Sequence, residues 1–300
     1  MRTKEERIFQ IIGNILMMLA ALAAIIPLVL LVSSSFTENN ALIKYGYRFF
    51  PTVFSTEAYS YVFSTGNSVL RAYFVSFLLT AVGTVVSLII TTMLAYPLAR
   101  QGMPFRGVLT FLVFFTMLFN GGLVPTYINY TNVFHIKNTF WAILIPGLLM
   151  NAYNVLLTKS YFVTGVPSEI LEAASIDGAS EFKTFVSIAL PMAKPIIATI
   201  GMFVGIAYWN DWNNGIVYLT STGGSQWYSI QSLLYQMMNN IQYLAQNAEN
   251  ISTAQEGLAS IPAASVRMAM AVMGVLPIVV IYPFIQNNFV KGITLGGVKG

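Results

Sequence analysis

The sequence predicts an all-α membrane protein with six transmembrane helices and both termini on the cytoplasmic side. Three observations carry this reading. Of 300 residues, 56% are hydrophobic and only 9% are charged, whereas soluble domains average about 25% charged residues. Six apolar stretches are each long enough to cross a bilayer, which takes about 20 helical residues. The lysines and arginines lie asymmetrically about those stretches.

The stretches fall at residues 11–32, 72–98, 107–127, 140–163, 195–219 and 264–288. The first, Ile11 to Val32, is interrupted only by Gly13, Asn14 and Pro27. Its apolar run exceeds the core of a secretion signal, so an uncleaved anchor is expected. With the N-terminus inside, Arg2, Lys4, Arg7, Arg100, Arg106, Lys159, Lys183, Lys194, Lys291 and Lys299 become cytoplasmic. Lys44, Arg48, Arg71, Lys137 and Arg267 stay outside or at outer helix ends. Such a bias follows the positive-inside rule. One transmembrane domain then covers residues 1–300, with outer loops 33–70 and 220–263, a cytoplasmic loop 164–194 and a cytoplasmic tail 289–300.

Composition excludes several classes of function. Without cysteine there is no disulfide framework, thiolate metal site or cysteine nucleophile, and the lone His135 cannot form a histidine-rich metal site. No metal site and no catalytic residue is expected. The net charge of +4 is scattered rather than striped, so no nucleic-acid partner is expected, and the lipid bilayer accounts for the pattern.

Two polar segments have structure of their own. In the outer loop 220–263, Leu233, Leu234, Met237, Met238 and Ile241 recur at helical spacing, which predicts an amphipathic helix against the membrane or a partner. A plain cover for the outer mouth fits equally well. The cytoplasmic loop 164–194 holds Glu169, Glu172, Asp177 and Glu181 of the chain's eleven acids. Pro167 and Gly178 punctuate a short helix there. Ala173, Ala174 and Ser175 keep its surface low enough for another protein to approach. A second helical stretch, Ser180 to Ala189, follows the glycine elbow.

Glu172-Ala173-Ala174, then Gly178, then Ile188-x-Leu190-Pro191 resembles the EAA loop of binding-protein-dependent ABC importer permeases. That resemblance implies the type I ABC importer permease fold. It also implies that the loop docks on an ATPase subunit, through Glu169, Leu171, Glu172, Ala173, Ala174, Ser175, Asp177 and Gly178. The tail from Lys291 to Gly300 is similar to that of maltose-type sugar permeases, implying that Gly296, Gly297, Val298, Lys299 and Gly300 reach the ATPase dimer. The likeness extends over most of the chain and points to the smaller of the two permease subunits. Phe119-Asn120-Gly121-Gly122-Leu123-Val124-Pro125-Thr126-Tyr127 resembles a subgroup associated with complex oligosaccharides.

Aromatic faces beside amides and carboxylates suit sugars, and Tyr208, Trp209, Asn210 and Asp211 offer them in the fifth stretch. Asp211 is the one carboxylate inside any predicted span, a functional candidate by default. Structural gating or helix pairing is the preferred role, because the resemblance assigns most of the sugar site to the other permease. Arg71 and Arg267 are candidate counter-charges for Asp211.

The expected function is therefore the transmembrane subunit of an ATP-driven oligosaccharide importer. Its partners are a second related permease, an ATPase dimer and an external sugar-binding protein. This chain binds no cofactor itself; no G-x4-G-K-[ST] loop occurs, so ATP and Mg belong to the ATPase. An ion-gradient-driven secondary transporter is the alternative, predicting inverted repeats, broken helices and paired intramembrane charges. An intramembrane enzyme would need a nucleophile with a base or a metal cluster, and the chain has no cysteine and one loop histidine.

Overall fold

The computed structural model describes residues 4–64, 68–247 and 262–297. Among these every regular element is a helix, apart from one isolated antiparallel bridge between Thr37 and Phe54. It divides into two compact units, Met1–Val69 with Leu234–Pro277, and Leu70–Leu233 with Ile278–Gly300.

The first unit opens with α1 (Lys4–Ser35), whose apolar side chains are almost all exposed and which Pro27 does not end. A helix apolar all round needs a lipid or protein solvent. Two short helices follow, α2 (Asn39–Tyr45) and α3 (Glu57–Ser64). The end of α1 is tied to α3 by the Ser35 and Tyr59 hydroxyls at 2.8 Å, and the Phe36 and Phe54 rings beside these helices stack at 5.7 Å.

The second unit is built on α4 (Ser68–Ala99), which starts two residues before it. Then come α5 (Arg106–Leu118), α6 (Leu123–Ile128, extended by a π-helical turn to Val133), α7 (Trp141–Leu144) and α8 (Ala152–Gly165). The loop helix α9 (Ser168–Ile176) precedes α10 (Glu181–Thr184), a π-helical turn Phe185–Ala189 and α11 (Leu190–Met192). Next are α12 (Lys194–Asn210) and α13 (Asn213–Tyr218). Helix α14 (Ile230–Asn247) and the last helix, α15 (Ala263–Gly297), each run through both units.

Apolar burial between helices yields little inside a bilayer, so close backbone approach and hydrogen bonds carry the packing. Helix α12 meets α4 through small residues one turn apart. A Cβ on Gly201 would stand 3.3 Å from Leu88 Cδ1, and one on Gly205 would stand 3.4 Å from Thr84 Oγ1. Gly83 of α4 leaves room for the Tyr208 ring, which a Cβ there would strike.

The six predicted stretches meet different fates. Glu6–Ser35, Ser68–Ala99 and Ala263–Pro283 are single helices long and apolar enough to span. The third stretch breaks at Phe119–Gly122 into α5 and α6, a bent pair at 115°. Here Gly122 takes φ +84, and its N–H is held by Asn120 Oδ1 at 2.8 Å. The fifth is entered through Glu181–Met192, set at 80° to Lys194–Asn210, and breaks again at Asp211. The fourth, expected as one helix over 140–163, is interrupted between Leu144 and Ala152. Pro146 lacks an N–H and Gly147 adopts φ +73, so an α-helix cannot run through.

The second loop helix also differs from its expected end at Ala189, continuing through Pro191 to Met192. The wide π-helical turn before it accommodates the proline ring. In the predicted tail the backbone stays helical as far as Gly297. Its side chains, and all of Val298, Lys299 and Gly300, lie outside the described residues.

Candidate functional site

Helix α9 is shaped at both ends by its sequence. Pro167 (φ −60) precedes its first residue, and Glu169 places a carboxylate against the positive end of the helix dipole. At the other end Gly178 takes φ +77, where a residue with a Cβ is strained. Ala179 N–H donates to the Ala174 carbonyl at 2.9 Å, and Gly178 N–H to the Ser175 carbonyl at 3.1 Å. These two bonds form a Schellman motif, which satisfies the last carbonyls and turns the chain sharply. Ser180 then caps α10, its Oγ accepting from Lys183 N–H at 3.3 Å.

The surface of α9 is divided. Glu169, Glu172, Ala173, Ser175, Asp177 and Gly178 are exposed. Leu171 and Ala174, expected to touch a partner, are instead buried at 7% and 9% exposure inside this chain. Three positions separate them on the inner face, so they hold the helix rather than present it. Two residues that the motif did not mark project outward: Ile176 is 86% exposed and Phe182 is 67% exposed. Hydrophobicity at polar-looking loop positions was the available signal.

Beneath α9 lies a cavity of about 910 Å³, bounded by the end of α4, the turn 100–106, α8 and α10. Its lining mixes Arg100 and Arg106 with Glu169, Glu172 and Glu181. Arg100 Nη2 donates to Glu181 Oε1 at 3.1 Å, and Tyr96 Oη donates to Glu181 Oε2 at 3.3 Å. The second half of the loop is thereby linked to the spanning helix α4.

The 208–214 cluster joins the fifth predicted stretch to the fourth. Tyr208, fully buried, donates its hydroxyl to the Leu144 carbonyl at 2.8 Å. Asn214 Nδ2 donates to the Pro146 carbonyl at 2.9 Å. Both acceptors belong to the interrupted fourth stretch. Asp211 Oδ1 accepts from the N–H groups of Asn213 and Asn214 at 3.2 and 3.3 Å, capping α13. The fifth stretch is closed in the same way, Ser229 Oγ donating to the Asp211 carbonyl and Ser232 Oγ to the Trp212 carbonyl, each at 3.1 Å. Asp211 is therefore held by backbone donors rather than by Arg71. Trp209 is buried against Phe77 and Tyr73, and only Asn210 of the four candidates is fully exposed.

Sequence reasoning missed a cleft of about 380 Å³ between the 145–151 interruption and α12. Asn151, Tyr153 and Asn154 border it together with Phe203 and Ala207. The amide-aromatic-amide run at 151–154 was the legible sign of it.

A helical membrane protein with broken, stitched spans and an exposed glycine-ended loop helix belongs among the membrane components of transporters. The chain is a member of the family of binding-protein-dependent transport system inner membrane components, whose pattern matches residues 81–295. Protein LplC of Bacillus subtilis (strain 168) is 35% identical over 298 residues, covering 99% of this chain and 97% of its own. The polygalacturonan/rhamnogalacturonan transport system permease protein YtcP of the same organism is 33% identical, covering 99% of this chain and all of its own. Among solved structures, a bacterial ABC transporter involved in the import of the acidic polysaccharide alginate has a chain that superposes with a TM-score of 0.78. It is 27% identical, over 96% of this chain and 99% of that one. The chain is thus a multi-pass permease component of a bacterial plasma membrane. Broken helices, expected of an ion-coupled rival, occur here in a binding-protein-dependent transporter.

Proposed function

We propose that this chain is one of two related permeases in an ATP-driven oligosaccharide importer. The observation that carries the proposal is the exposed α9 helix, ended by the Gly178 Schellman motif and braced from behind by Leu171 and Ala174. A partner ATPase would seat on Glu169, Glu172, Ala173, Ser175, Ile176 and Asp177. ATP and Mg are bound by that ATPase dimer, and no cofactor by this chain. Closure of the ATPases would move α9, and the Arg100–Glu181 contact would pass the motion to α4, giving alternating access. The tail from Gly296 to Gly300 is assigned to the same ATPase interface.

Six spans with both termini inside accommodate this scheme. Three are continuous, two are bent pairs, and the fourth is interrupted but has two of its freed carbonyls, those of Leu144 and Pro146, filled by Tyr208 and Asn214. Unsatisfied carbonyls in lipid would cost several kcal/mol each, so an interruption needs such partners. The substrate is assigned as an oligosaccharide delivered by an external binding protein. The named cargo of YtcP and of the alginate transporter favours acidic polysaccharide fragments. Asn210 and the cleft at Asn151 and Tyr153 are its proposed path.

The test is a mild-detergent pull-down of the tagged chain, beside Glu172→Lys and Gly178→Asp. The ATPase and a second permease should accompany wild type, and the ATPase should be lost from the variants. A wild-type chain that comes down alone would sink the proposal.

A further inference from the structure

Arg106 opens α5, and Lys159 lies on α8, the helix packed against it. Lys159 Nζ donates to Thr110 Oγ1 at 3.2 Å, and Thr110 stands one helical turn beyond Arg106. Two cations held about one helical turn apart repel one another. Arg106 directs Nε to the Leu98 carbonyl at 2.9 Å. A guanidinium carries five N–H donors and an ammonium three, so most of these donors have no acceptor among the described residues. Of the three carboxylates that line the cavity with Arg106, Glu181 is engaged by Arg100, and neither Glu169 nor Glu172 forms an ion pair with Arg106 or Lys159. Both cations are half-buried, so water screens them less than it would at an open surface.

The face of α5 that carries Arg106 and Thr110 goes on to expose Phe114 and Met117 one and two turns further along. A ligand that suits the whole feature has an anionic head for the cations and a hydrocarbon tail for the helix face. The geometry points to a binding site for an anionic phospholipid, with its phosphate on Arg106 and Lys159 and its acyl chains along α5. Phosphate set between the cations replaces their repulsion with charge-assisted hydrogen bonds. Basic pockets between spanning helices bind lipid headgroups for this reason. Free inorganic phosphate offers the same head chemistry but leaves Phe114 and Met117 bare. The inference rests on the permease reading above and is independent of the sugar, although Arg106 also lines the cavity beneath α9.

The test is native mass spectrometry of the complete importer, exchanged against equal amounts of phosphatidylglycerol and phosphatidylcholine. A parallel arm contains excess inorganic phosphate. Wild type should retain phosphatidylglycerol preferentially, with inorganic phosphate failing to displace it. Arg106→Gln combined with Lys159→Gln should lower that preference about thirty-fold, and Arg106→Lys with Lys159→Arg should preserve it. Equal retention of the two lipids overturns the site, as does an unchanged preference in the glutamine pair. Displacement by inorganic phosphate alone assigns the site to a free anion and overturns the lipid. Should the glutamine pair fail to assemble, the wild-type competition and Lys159→Gln alone decide by the same criteria. If the wild-type chain retains its protein partners yet shows no lipid preference, this inference alone falls. If wild type has no partners, the importer reading falls first.

Discussion

The Tyr208 hydroxyl donates to the Leu144 carbonyl at 2.8 Å, joining the fifth predicted span to the point where the fourth one breaks. Tyr208, a candidate for the translocation path or gate, thus fills a backbone vacancy. Asn214 does the same for Pro146, and Asp211 Oδ1 accepts from the backbone N–H groups of Asn213 and Asn214.

Tyr208→Phe keeps the ring but leaves a buried carbonyl unpaired, which should cost about 1–3 kcal/mol. The purified importer should melt at a lower temperature by the corresponding amount. Gly83→Ala should be worse, because the new methyl strikes the same ring and overpacking adds its own penalty of roughly 1–3 kcal/mol. Equal melting temperatures for wild type and both variants would show that the stitch does not matter.

Asp211 separates capping from charge. Asp211→Asn retains an oxygen for Asn213 and Asn214 N–H, so stability and uptake should stay near wild type. Asp211→Ala removes the acceptor and should cost about 0.5–2 kcal/mol. If the asparagine variant abolishes uptake while its melting temperature is unchanged, the negative charge itself acts in transport.

At Gly178 the constraint is conformational, since a Cβ would meet nothing within 4 Å while φ is +77. Gly178→Ala should strain the elbow by about 1–2 kcal/mol, weakening ATPase co-purification roughly five- to thirty-fold. Gly178→Asn should be milder, because asparagine tolerates left-handed backbone. A reversed order of the two would make side-chain size at the docking face the governing factor.

The Arg100–Glu181 pair has side chains 27% and 68% exposed, so solvent screens it and its worth should be below about 1 kcal/mol. A double-mutant cycle with Arg100→Gln and Glu181→Gln, read by melting temperature, should give that small coupling. ATP-dependent uptake should fall more than stability does, because the pair links the loop to α4. A loss of uptake no greater than the loss of folded protein would remove the link from the mechanism.

Much of the design was legible in one dimension because the physics behind it is local. Lipid demands long apolar runs, which composition reports directly; α1, α4 and α15 emerged as single helices over three of the predicted stretches. The glycine elbow was equally readable, since only the chain beside Gly178 makes its motif. Leu171 and Ala174 were misplaced because the sequence marks the motif's residues without saying which side of the helix faces inward. The interruption at Pro146–Gly147 was hidden within an apolar run whose composition suits a continuous span. Such a break is tolerable only when donors arrive from elsewhere, and Tyr208 and Asn214 lie more than sixty residues away. Their roles depend on which backbone carbonyls they meet, a matter that tertiary packing alone decides.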